Sequence, residues 1–508
     1  MRRAALLLAA LLWQPLLSEP RAVASGSASG SAPAQKPLPD TAELERELQR
    51  FVGVYAIASE HAAEPVDLDS AFYRGAIPGM LRQLDPHSVF FDRDQFQQLR
   101  EMERSVTKGF GSVVSILPGR VIVLQTMPGT PSQKSGLAPG DEIVVINGYP
   151  LARLDMDQLV QLLGQSRQRE AHLYVRRQGT AKLLPVTLVP EELQSPSVDR
   201  GFLLQPGIGY VRATSFDADT ATRIREAIES LGGPRLNGLV LDLRDNPGGV
   251  LQAGLATAAL FLKPGARILS AHGRGSGAEN VDVPQDSSPY AFPLAVLVNA
   301  RTGSASEIVA GAIQDHDRGA IIGQTTFGKG LVQRVFPLSD ATGLALTTAF
   351  YYTPSGRSIQ KPLRDSELAQ ATATTRPEFK TDGGRLVRGG GGIEPDQVVQ
   401  PPAYTRFRTA LEGSGSFAGY ATEWLSGHRA DASRDLGVTP AMLDDFQLWL
   451  SRRNIRPNLS DWTAEREAIT WRLKQEILNQ SISVAAGDEI ELRHDPAVRR
   501  ALASLTQH

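Results

Sequence analysis

The stretch 294-LAVLVNARTGSASEIVAGAIQD-315 decides the fold of this protein. It opens with 294-LAVLVNA-300, an almost entirely apolar run of strand length, which is typical of a strand buried on both faces. The segment 304-SASEIVAGAIQ-314 then repeats its large apolar residues on one face of a helix. A buried strand that leads into such a helix predicts a layered α/β core.

The same alternation of strands and helices extends beyond this stretch. The run 238-GLVLDLR-244 predicts a second buried strand, and 250-VLQAGLATAALFL-262 predicts a helix between the two strands. We expect the loop 272–288 and the glycine run 389-GGGG-392 to be mobile surface segments. Residues 193–402 are assigned to this α/β core.

A β-rich module precedes the core, at residues 105–192. Gly and Pro turns separate its short strand-like runs, and the helical pattern 157-DQLVQLLGQ-165 interrupts them. The runs are 121-VIVLQ-125, 142-EIVVI-146, 171-AHLYVRR-177 and 183-LLPVTLV-189. Short strands between frequent turns predict a compact β-rich domain that is inserted before the core.

Helical segments flank these two units. In residues 40–104 the apolar side chains recur at helical spacing, and a second helical stretch covers residues 70–84. Residues 403–508 are helical as well, with an apolar stripe formed by Trp462, Ile469, Leu473 and Ile477. The predicted fold is therefore a multidomain α/β protein: a layered core, an inserted β-rich domain, and helical N- and C-terminal segments.

The first residues indicate the compartment. Two arginines precede the apolar run 4–17, and 22-AVA-24 then offers a small-residue cleavage site. This pattern predicts a secretory signal peptide at residues 1–24, followed by a flexible linker at residues 25–39 that is rich in Ser, Gly, Ala and Pro. We expect export to the periplasm. If the segment is retained, it would associate the protein with the inner membrane, and this alternative stays open.

Composition excludes several classes of function. A net charge of -2 over 508 residues gives no reason to expect a nucleic-acid partner. The absence of cysteine excludes disulfides, thiolate chemistry and lipoprotein anchoring. No H-E-x-x-H or other ligand spacing occurs, so we expect neither a metal nor a cofactor.

Lys329 lies in 323-GQTTFGKG-330, which fits the phosphate-binding P-loop except at its last position. There Gly330 replaces the required Ser or Thr, and the strand-like run 331-LVQRVFPL-338 follows where a helix is needed. A nucleotide site is therefore disfavoured. Apolar neighbours lower the pKa of a lysine by desolvation, and such a lysine acts as a general base.

Ser304 is the candidate nucleophile for that base. It follows a predicted strand and lies where a helix begins, so backbone N–H groups and the helix dipole favour negative charge there. The residue could instead be a plain N-cap serine, and the G-x-S-x-G elbow is not matched because Thr302 replaces its first glycine. A Ser-His-Asp triad is the competing arrangement, but neither His316 nor His272 has a recognisable context.

Several motifs follow one another along the chain. They are 75-GAIPGMLRQLDPHS-88, 109-GFG-111, 135-SGLAPGDEIVVING-148, 242-DLRDNPGG-249, 304-SASEIVAGAIQD-315, 326-TFGKG-330 and 351-YYTPSGRSIQ-360. In this order they resemble the carboxyl-terminal processing peptidases, or tail-specific proteases, which are Ser/Lys serine endopeptidases with a PDZ domain. The resemblance runs from about residue 45 to 400.

The resemblance implies roles for single residues. It makes Ser304 the nucleophile and Lys329, 25 residues later, its general base. Gln333 matches the third member of the family's set, which orients the lysine. Gly303 stands where the family commonly has Ala, a small change that should not impair the chemistry.

Two further groups of residues are carried over from the family. The oxyanion hole would consist of the N–H of Ala305 and one from the glycine turn, where the choice between Gly248 and Gly249 stays open. The β-rich module resembles a PDZ domain, and its carboxylate-binding loop would be Gly109, Phe110, Gly111 and Ser112. Arg177 matches an arginine that in some members couples the PDZ position to the active site; it could equally be a solvated strand residue.

The sequence thus predicts an exported serine endopeptidase that binds protein C-terminal tails and cleaves through an acyl-enzyme. Its partners would be protein or peptide substrates, a further copy of the chain bound through the helical segments, and an adaptor protein. The main alternative is a latent or inactive PDZ adaptor on a protease fold. A Ser-His hydrolase of small esters is the third hypothesis.

Overall fold

The computed structural model describes residues 40–103, 106–117, 119–177, 179–194, 196–274, 278–363 and 376–506. The expected signal peptide (1–24) and linker (25–39) lie outside these residues and stay predictions. Among the helices that are described, none combines the length and the apolar character that a membrane span requires.

The N-terminal region is helical, as predicted. Its elements are α1 (Thr41–His61), a π-helix (Ser70–Ala76), α2 (Ile77–Leu84), β1 (Val89–Phe91) and α3 (Arg93–Glu103). The side chain of Asp40 caps α1 by accepting the N–H of Ala42 at 3.4 Å. No residue of α1 is buried, and its apolar side chains contact only a few groups, such as the ring of Phe72 against Phe51 and Tyr55.

The β-rich module is a small domain with its own core, as predicted. Its elements are β2 (Val106–Gly109), β3 (Ser112–Leu117), β4 (Arg120–Thr126), α4 (Pro131–Lys134), β5 (Glu142–Ile146), β6 (Tyr149–Pro150), α5 (Met156–Ser166), β7 (Ala171–Arg176), β8 (Leu184–Leu188) and β9 (Glu191–Gln194). Its sheet has the order β3-β4-β5-β7-β8, which leaves β3 at an edge. The strands β2 and β9 pair with each other and so close the inserted domain at its base.

The predicted α/β core is confirmed. Its elements are β10 (Val198–Gln205), β11 (Ile208–Ala213), α6 (Thr220–Leu231), β12 (Gly238–Asp242), α7 (Leu251–Ala259), β13 (Arg267–Gly273), β14 (Glu279–Asp282), β15 (Leu294–Val298), α8 (Ala305–Asp315), β16 (Ala320–Gly323), β17 (Leu331–Pro337), β18 (Gly343–Tyr352), β19 (Glu378–Lys380), β20 (Leu386–Arg388) and β21 (Gln397–Val398). The central sheet has the order β10-β11-β12-β15-β16-β21 and is parallel from β11 onwards. Every residue of β12 and β15 is buried, as their apolar sequences require.

A second sheet lies beside the central one and has the order β1-β18-β13-β14, with β17 also paired to β18. Because β1 pairs antiparallel with β18, a strand that precedes the β-rich module belongs to the core. The sequence did not predict this contribution from the N-terminal region.

Two segments that we expected to be mobile on the surface make backbone hydrogen bonds to neighbouring segments of the core domain. The segment 272–288 contains β14, which pairs antiparallel with residues 267–271 of β13, although residues 275–277 lie outside the described chain. In the run 389–392 the N–H of Gly390 donates to Ser358 O at 2.7 Å and that of Gly392 to Ile359 O at 2.8 Å. The mobility of the two segments stays a prediction, although backbone hydrogen bonds connect their described parts to neighbouring segments.

The C-terminal segment is helical, as predicted. It contains α9 (Arg406–Gly413), α10 (Ser416–His428), α11 (Pro440–Ser451), α12 (Leu459–Ser481), α13 (Val484–His494) and α14 (Pro496–Leu505). Helix α14 covers one face of the central sheet, with Val498 and Ala501 packed in one apolar cluster with Val240 and Leu297. The segment therefore completes the layered core instead of only offering a surface to a second copy.

The same C-terminal helices also hold the β-rich module. Ala418 of α10 packs against Leu117 and Ile122 of the module's sheet. The N–H of Val484 donates to the side-chain oxygen of Gln125 at 3.0 Å. The C-terminal segment thus contacts both the module and the core.

Candidate active site

Ser304 connects the buried strand β15 to α8 and is the N-cap of that helix. Its backbone has φ 57° and ψ -117°, a conformation that costs a non-glycine residue about 1–3 kcal/mol. The Oγ is buried and has no hydrogen-bond partner in the described chain. A plain N-cap serine would use its hydroxyl to accept a helix N–H, so strain and an unused hydroxyl together favour a functional serine.

Lys329 lies in the turn before β17, and its side chain is buried. Its Nζ donates to Gln333 Oε1 at 2.6 Å, while Gln333 Nε2 donates to the backbone oxygen of His87 at 2.6 Å. Burial lowers the pKa of Lys329 to about 8, against the opposing influence of the carboxylates of Glu307 and Asp85. The predicted lysine is thus held by the predicted glutamine and partly deprotonated near neutral pH.

Glu307 is a site residue that the sequence analysis did not select. Its fully buried carboxylate accepts the N–H of Ser304 at 2.8 Å and that of Lys329 at 2.9 Å on one oxygen. The other oxygen accepts the N–H of Gly328 at 2.7 Å and the hydroxyl of Thr326 at 2.5 Å. Burial raises the pKa of Glu307, although these hydrogen bonds oppose the rise. Its place three residues after an N-cap serine, as in a capping box, was the signal available.

A second buried side chain ties the same two turns together. The hydroxyl of Tyr351 on β18 donates to Lys329 O at 2.8 Å and also lies 3.3 Å from Ser304 O. Because Glu307 and Tyr351 each bond backbone atoms of both residues, the turns that carry Ser304 and Lys329 lie side by side.

The glycine turn after β12 packs directly against the nucleophile turn. A Cβ on Gly248 would lie 2.7 Å from Ser304 Cβ and 2.9 Å from Ala305 N, so only glycine fits there. The N–H of Gly248 already donates to Asn246 Oδ1 at 2.9 Å. Within the described chain the N–H groups of Gly249 and Ala305 have no acceptor, which makes them the available donors.

The predicted carboxylate-binding loop lies at the edge strand of the β-rich module. Gly109 ends β2, Ser112 begins β3, and the N–H groups of Phe110 and Gly111 between them have no acceptor among the described residues. Gly111 has φ 74°, and a Cβ there would lie 2.3 Å from Thr130 Cβ. This is a backbone loop with free donors beside an unpaired strand edge.

Arg177 is engaged inside the β-rich module. Its guanidinium donates to both oxygens of Asp141 at 2.7 Å and to Gly136 O at 2.7 Å. It is therefore not a free solvated side chain. These bonds link it to the module and not to Ser304 or Lys329, so a coupling role stays a prediction.

The histidines considered from the sequence do not reach Ser304. His316 follows the last residue of α8, at the end opposite to Ser304, and bonds Asp382 and Arg267 O at 2.7 Å each. His272 packs its ring against Tyr352. The structure instead brings His87 of the DPHS motif to the site, and desolvation together with Lys329 lowers its pKa. In the described residues no group of three or more His, Asp or Glu side chains could hold a metal.

Comparisons with known proteins agree with this geometry. Peptidase family S41 matches residues 207–366, and a PDZ domain matches residues 122–177. The chain is 34% identical over 369 residues to a carboxy-terminal-processing protease of Bartonella bacilliformis, covering 72% of this chain and 77% of that protein.

Two further similarities were found, one to a curated protein and one to a solved structure. Carboxyl-terminal-processing peptidase 2, chloroplastic, of Arabidopsis thaliana is 34% identical over 314 residues, covering 59% of this chain and 60% of that protein. Among solved structures, the photosystem II D1 C-terminal processing protease is 28% identical with a TM-score of 0.39, covering 72% of this chain and 89% of that one. By its family match and its first relative, this chain belongs to the carboxyl-terminal processing peptidases of family S41, serine-type proteases, and its β-rich module is a PDZ domain.

Proposed function

We propose that this protein is an exported endopeptidase that captures protein C-terminal tails in its PDZ domain and cleaves them with a Ser/Lys pair. The observation that carries the proposal is the shared hydrogen bonding of Glu307, whose one carboxylate oxygen accepts the N–H of both Ser304 and Lys329. The turn that carries Ser304, which has a strained backbone and a hydroxyl without a partner in the described chain, thereby lies beside the turn that carries Lys329, whose pKa is lowered to about 8. The inactive-adaptor alternative has no observation in its favour, since nucleophile, base and orienting amide are all present.

The chemistry follows from these side chains. Neutral Lys329 accepts the proton of Ser304 Oγ as that oxygen attacks a peptide carbonyl carbon. The resulting oxyanion would accept the N–H groups of Ala305 and Gly249. When the intermediate collapses, Lys329 returns the proton to the leaving amine, which leaves an ester on Ser304. Water, deprotonated by the same lysine, then attacks the ester and restores the hydroxyl.

The PDZ domain supplies tail recognition in this proposal. The substrate's last residues would add as a strand beside β3, which has no partner on its outer side within the described chain. The free N–H groups of Phe110 and Gly111 would bind the terminal carboxylate. Substrates are therefore proteins or peptides whose C-terminal tails are accessible.

Export, assembly and regulation complete the proposal. The N-terminal sequence pattern supports export to the periplasm. The exposed apolar face of α1 supports a homo-oligomer in which this helix meets a second copy. An adaptor protein that activates the enzyme fits the same scheme.

The experiment compares protein that begins at Ser25 with its Ser304→Ala and Lys329→Ala variants. Each is incubated with an unfolded test protein whose apolar tail is either free or blocked by a charged extension, and intact mass is followed. We expect cleavage by the unmodified enzyme only, and slower cleavage of the blocked substrate. Normal cleavage by Lys329→Ala would contradict the proposed base, and tail binding without any cleavage would favour the adaptor alternative.

A further inference from the structure

The turn 85-DPHS-88 connects α2 to β1 and is organised by the buried side chain of Asp85. Asp85 Oδ1 accepts the N–H of His87 at 2.7 Å and that of Ser88 at 2.8 Å. Its Oδ2 accepts the hydroxyl of Ser88 at 2.6 Å. One carboxylate therefore fixes the course of the backbone through this turn.

The turn is anchored to the sheet that leads from the catalytic lysine. The hydroxyl of Ser88 accepts the N–H of Thr347 on β18 at 3.1 Å. Directly after the turn, β1 pairs with β18, and β18 pairs with β17. Thr347 lies opposite Gln333 in that second pairing, where the register of the two strands shifts.

The turn also decides which way the amide of Gln333 points. The carbonyl of His87 accepts Gln333 Nε2 at 2.6 Å, so the amide oxygen faces Lys329 Nζ at 2.6 Å. If the amide were reversed, its NH₂ group would face an ammonium and two donors would meet. The carbonyl of His87 thus selects the orientation in which Gln333 can hold the lysine.

We propose that Asp85 is a positioning residue for catalysis: it holds the His87 carbonyl where that carbonyl orients Gln333 and, through it, Lys329. This inference rests on the Ser/Lys mechanism proposed above and assigns part of that mechanism to a segment that precedes the PDZ domain. Asp85 touches neither substrate nor reacting atoms in this role. Its effect reaches Ser304 only through the lysine.

A positioning role for Asp85 predicts a change in the pKa of Lys329, which a merely structural role does not. Burial lowers the pKa of Lys329 and the carboxylates of Glu307 and Asp85 oppose this lowering, while burial and the charge of Lys329 lower the pKa of His87. The hydrogen bond to Gln333 also stabilises the charged lysine, because the amide oxygen accepts from the ammonium. Loss of Asp85 removes a negative charge and loosens that bond, and both changes lower the pKa of Lys329.

The test measures how fast a fluorophosphonate probe labels Ser304, because labelling needs an activated nucleophile but no PDZ ligand. We would determine the labelling rate from pH 6 to 10, and the melting temperature, for the unmodified enzyme and for Asp85→Ala, Asp85→Asn, His87→Ala and Lys329→Ala. Asp92→Asn is the matched control, since Asp92 is an exposed carboxylate of the same segment that caps the start of α3.

We expect Asp85→Ala to label on the order of 10- to 100-fold more slowly, with the midpoint of its pH profile shifted to lower pH. The labelling rate of Asp85→Asn should fall less, because its amide oxygen can still accept two N–H groups. Asp92→Asn should label at the rate of the unmodified enzyme. His87→Ala keeps the carbonyl, so its loss should be smaller than that of Asp85→Ala.

Two results would overturn the proposal. One is slower labelling of Asp85→Ala with an unchanged pH midpoint, where the lower melting temperature alone explains the loss of labelling rate. Asp85 would then have only a structural role. The other is a larger loss in His87→Ala than in Asp85→Ala, which would assign the effect to the imidazole. Failure of the Ser/Lys mechanism is recognised separately, because Lys329→Ala would then still label at the normal rate.

Discussion

One oxygen of the Glu307 carboxylate accepts the backbone N–H of Lys329 at 2.9 Å, although the two residues belong to different elements. The same oxygen accepts the N–H of Ser304 at 2.8 Å. The backbones of the proposed nucleophile and the proposed base are therefore held at a spacing set by one buried atom. Such a site tolerates little change in that side chain, because it holds both partners of the proton transfer.

We expect Glu307→Gln to lower kcat at least 100-fold and to lower the melting temperature of the peptidase core. The carboxylate accepts three backbone N–H groups and the hydroxyl of Thr326, so the NH₂ of glutamine must face at least one N–H donor whichever way the amide turns. Each buried donor left without an acceptor costs about 1–3 kcal/mol. Steady-state kinetics and differential scanning calorimetry check both effects.

Glu45→Gln on the exposed helix α1 is the matched control, because it removes the same charge without disturbing a buried contact. Gln314→Glu is not suitable, because the amide of Gln314 is itself hydrogen-bonded in the core. If Glu307→Gln instead kept full activity and stability, Glu307 would be protonated in the folded protein, and its role would be that of a neutral hydrogen-bonding group.

The rate of the chemical step should rise with pH and level off above pH 8. Only neutral Lys329 can accept the serine proton, and its pKa is about 8. At pH 7 about a tenth of the lysines are then neutral, against about one in 3,000 at the ordinary pKa of a lysine. The measurement is kcat from pH 6 to 10. Lys329→Arg should be inactive throughout, because a guanidinium stays charged, and a midpoint near pH 10 would contradict the desolvated base.

Gly248→Ala should abolish most of the activity. The new Cβ would lie 2.7 Å from both Gly303 O and Ser304 Cβ, and φ at this position is 100°. The turns must move apart, which displaces the N–H groups proposed for the oxyanion, and loss of one such donor costs about 100- to 1,000-fold in kcat. Gly79→Ala in α2 is the control, because nothing lies within 4 Å of its Cβ position and a helix favours alanine. Equal kinetics in the two variants would rule out close packing at Gly248.

The strand and helix types of the core followed from sequence because burial on both faces leaves a clear apolar pattern. That pattern predicts β12, β15 and α8 without knowledge of their neighbours. The family motifs selected Ser304, Lys329 and Gln333 as site residues, and the fold does bring these residues together. Local patterns therefore predicted the scaffold, and the family motifs predicted the residues that we propose to react.

What escaped prediction depends on contacts between distant segments. Glu307 and Tyr351 act through hydrogen bonds to turns that only the folded chain places together. The choice between Gly248 and Gly249 required knowing that Asn246 already uses one of the two N–H groups. The strand β1 is three residues long, too short to show a period, and its partner β18 lies far along the chain.

The apolar face of α1 leads to the last prediction. Leu44, Leu48 and Val52 are 48%, 54% and 57% exposed, and their four-residue spacing places them on one side of the helix. If this face binds a second copy, Leu48→Glu should convert the oligomer to smaller species. Burial of one leucine contributes about 1.5–3 kcal/mol, and a two-fold interface contains each residue twice. The dissociation constant of the oligomer should therefore rise at least 100-fold.

Arg46→Glu provides the control, since it places a glutamate on the opposite face of α1 and changes the net charge by two units against one for Leu48→Glu, and it should leave the assembly unchanged. Sedimentation velocity over a range of protein concentrations measures both variants against the unmodified chain. A monomeric unmodified protein at high concentration would contradict a second copy as the occupant of this face. If both variants dissociate the assembly equally, net charge and not apolar burial on α1 governs association.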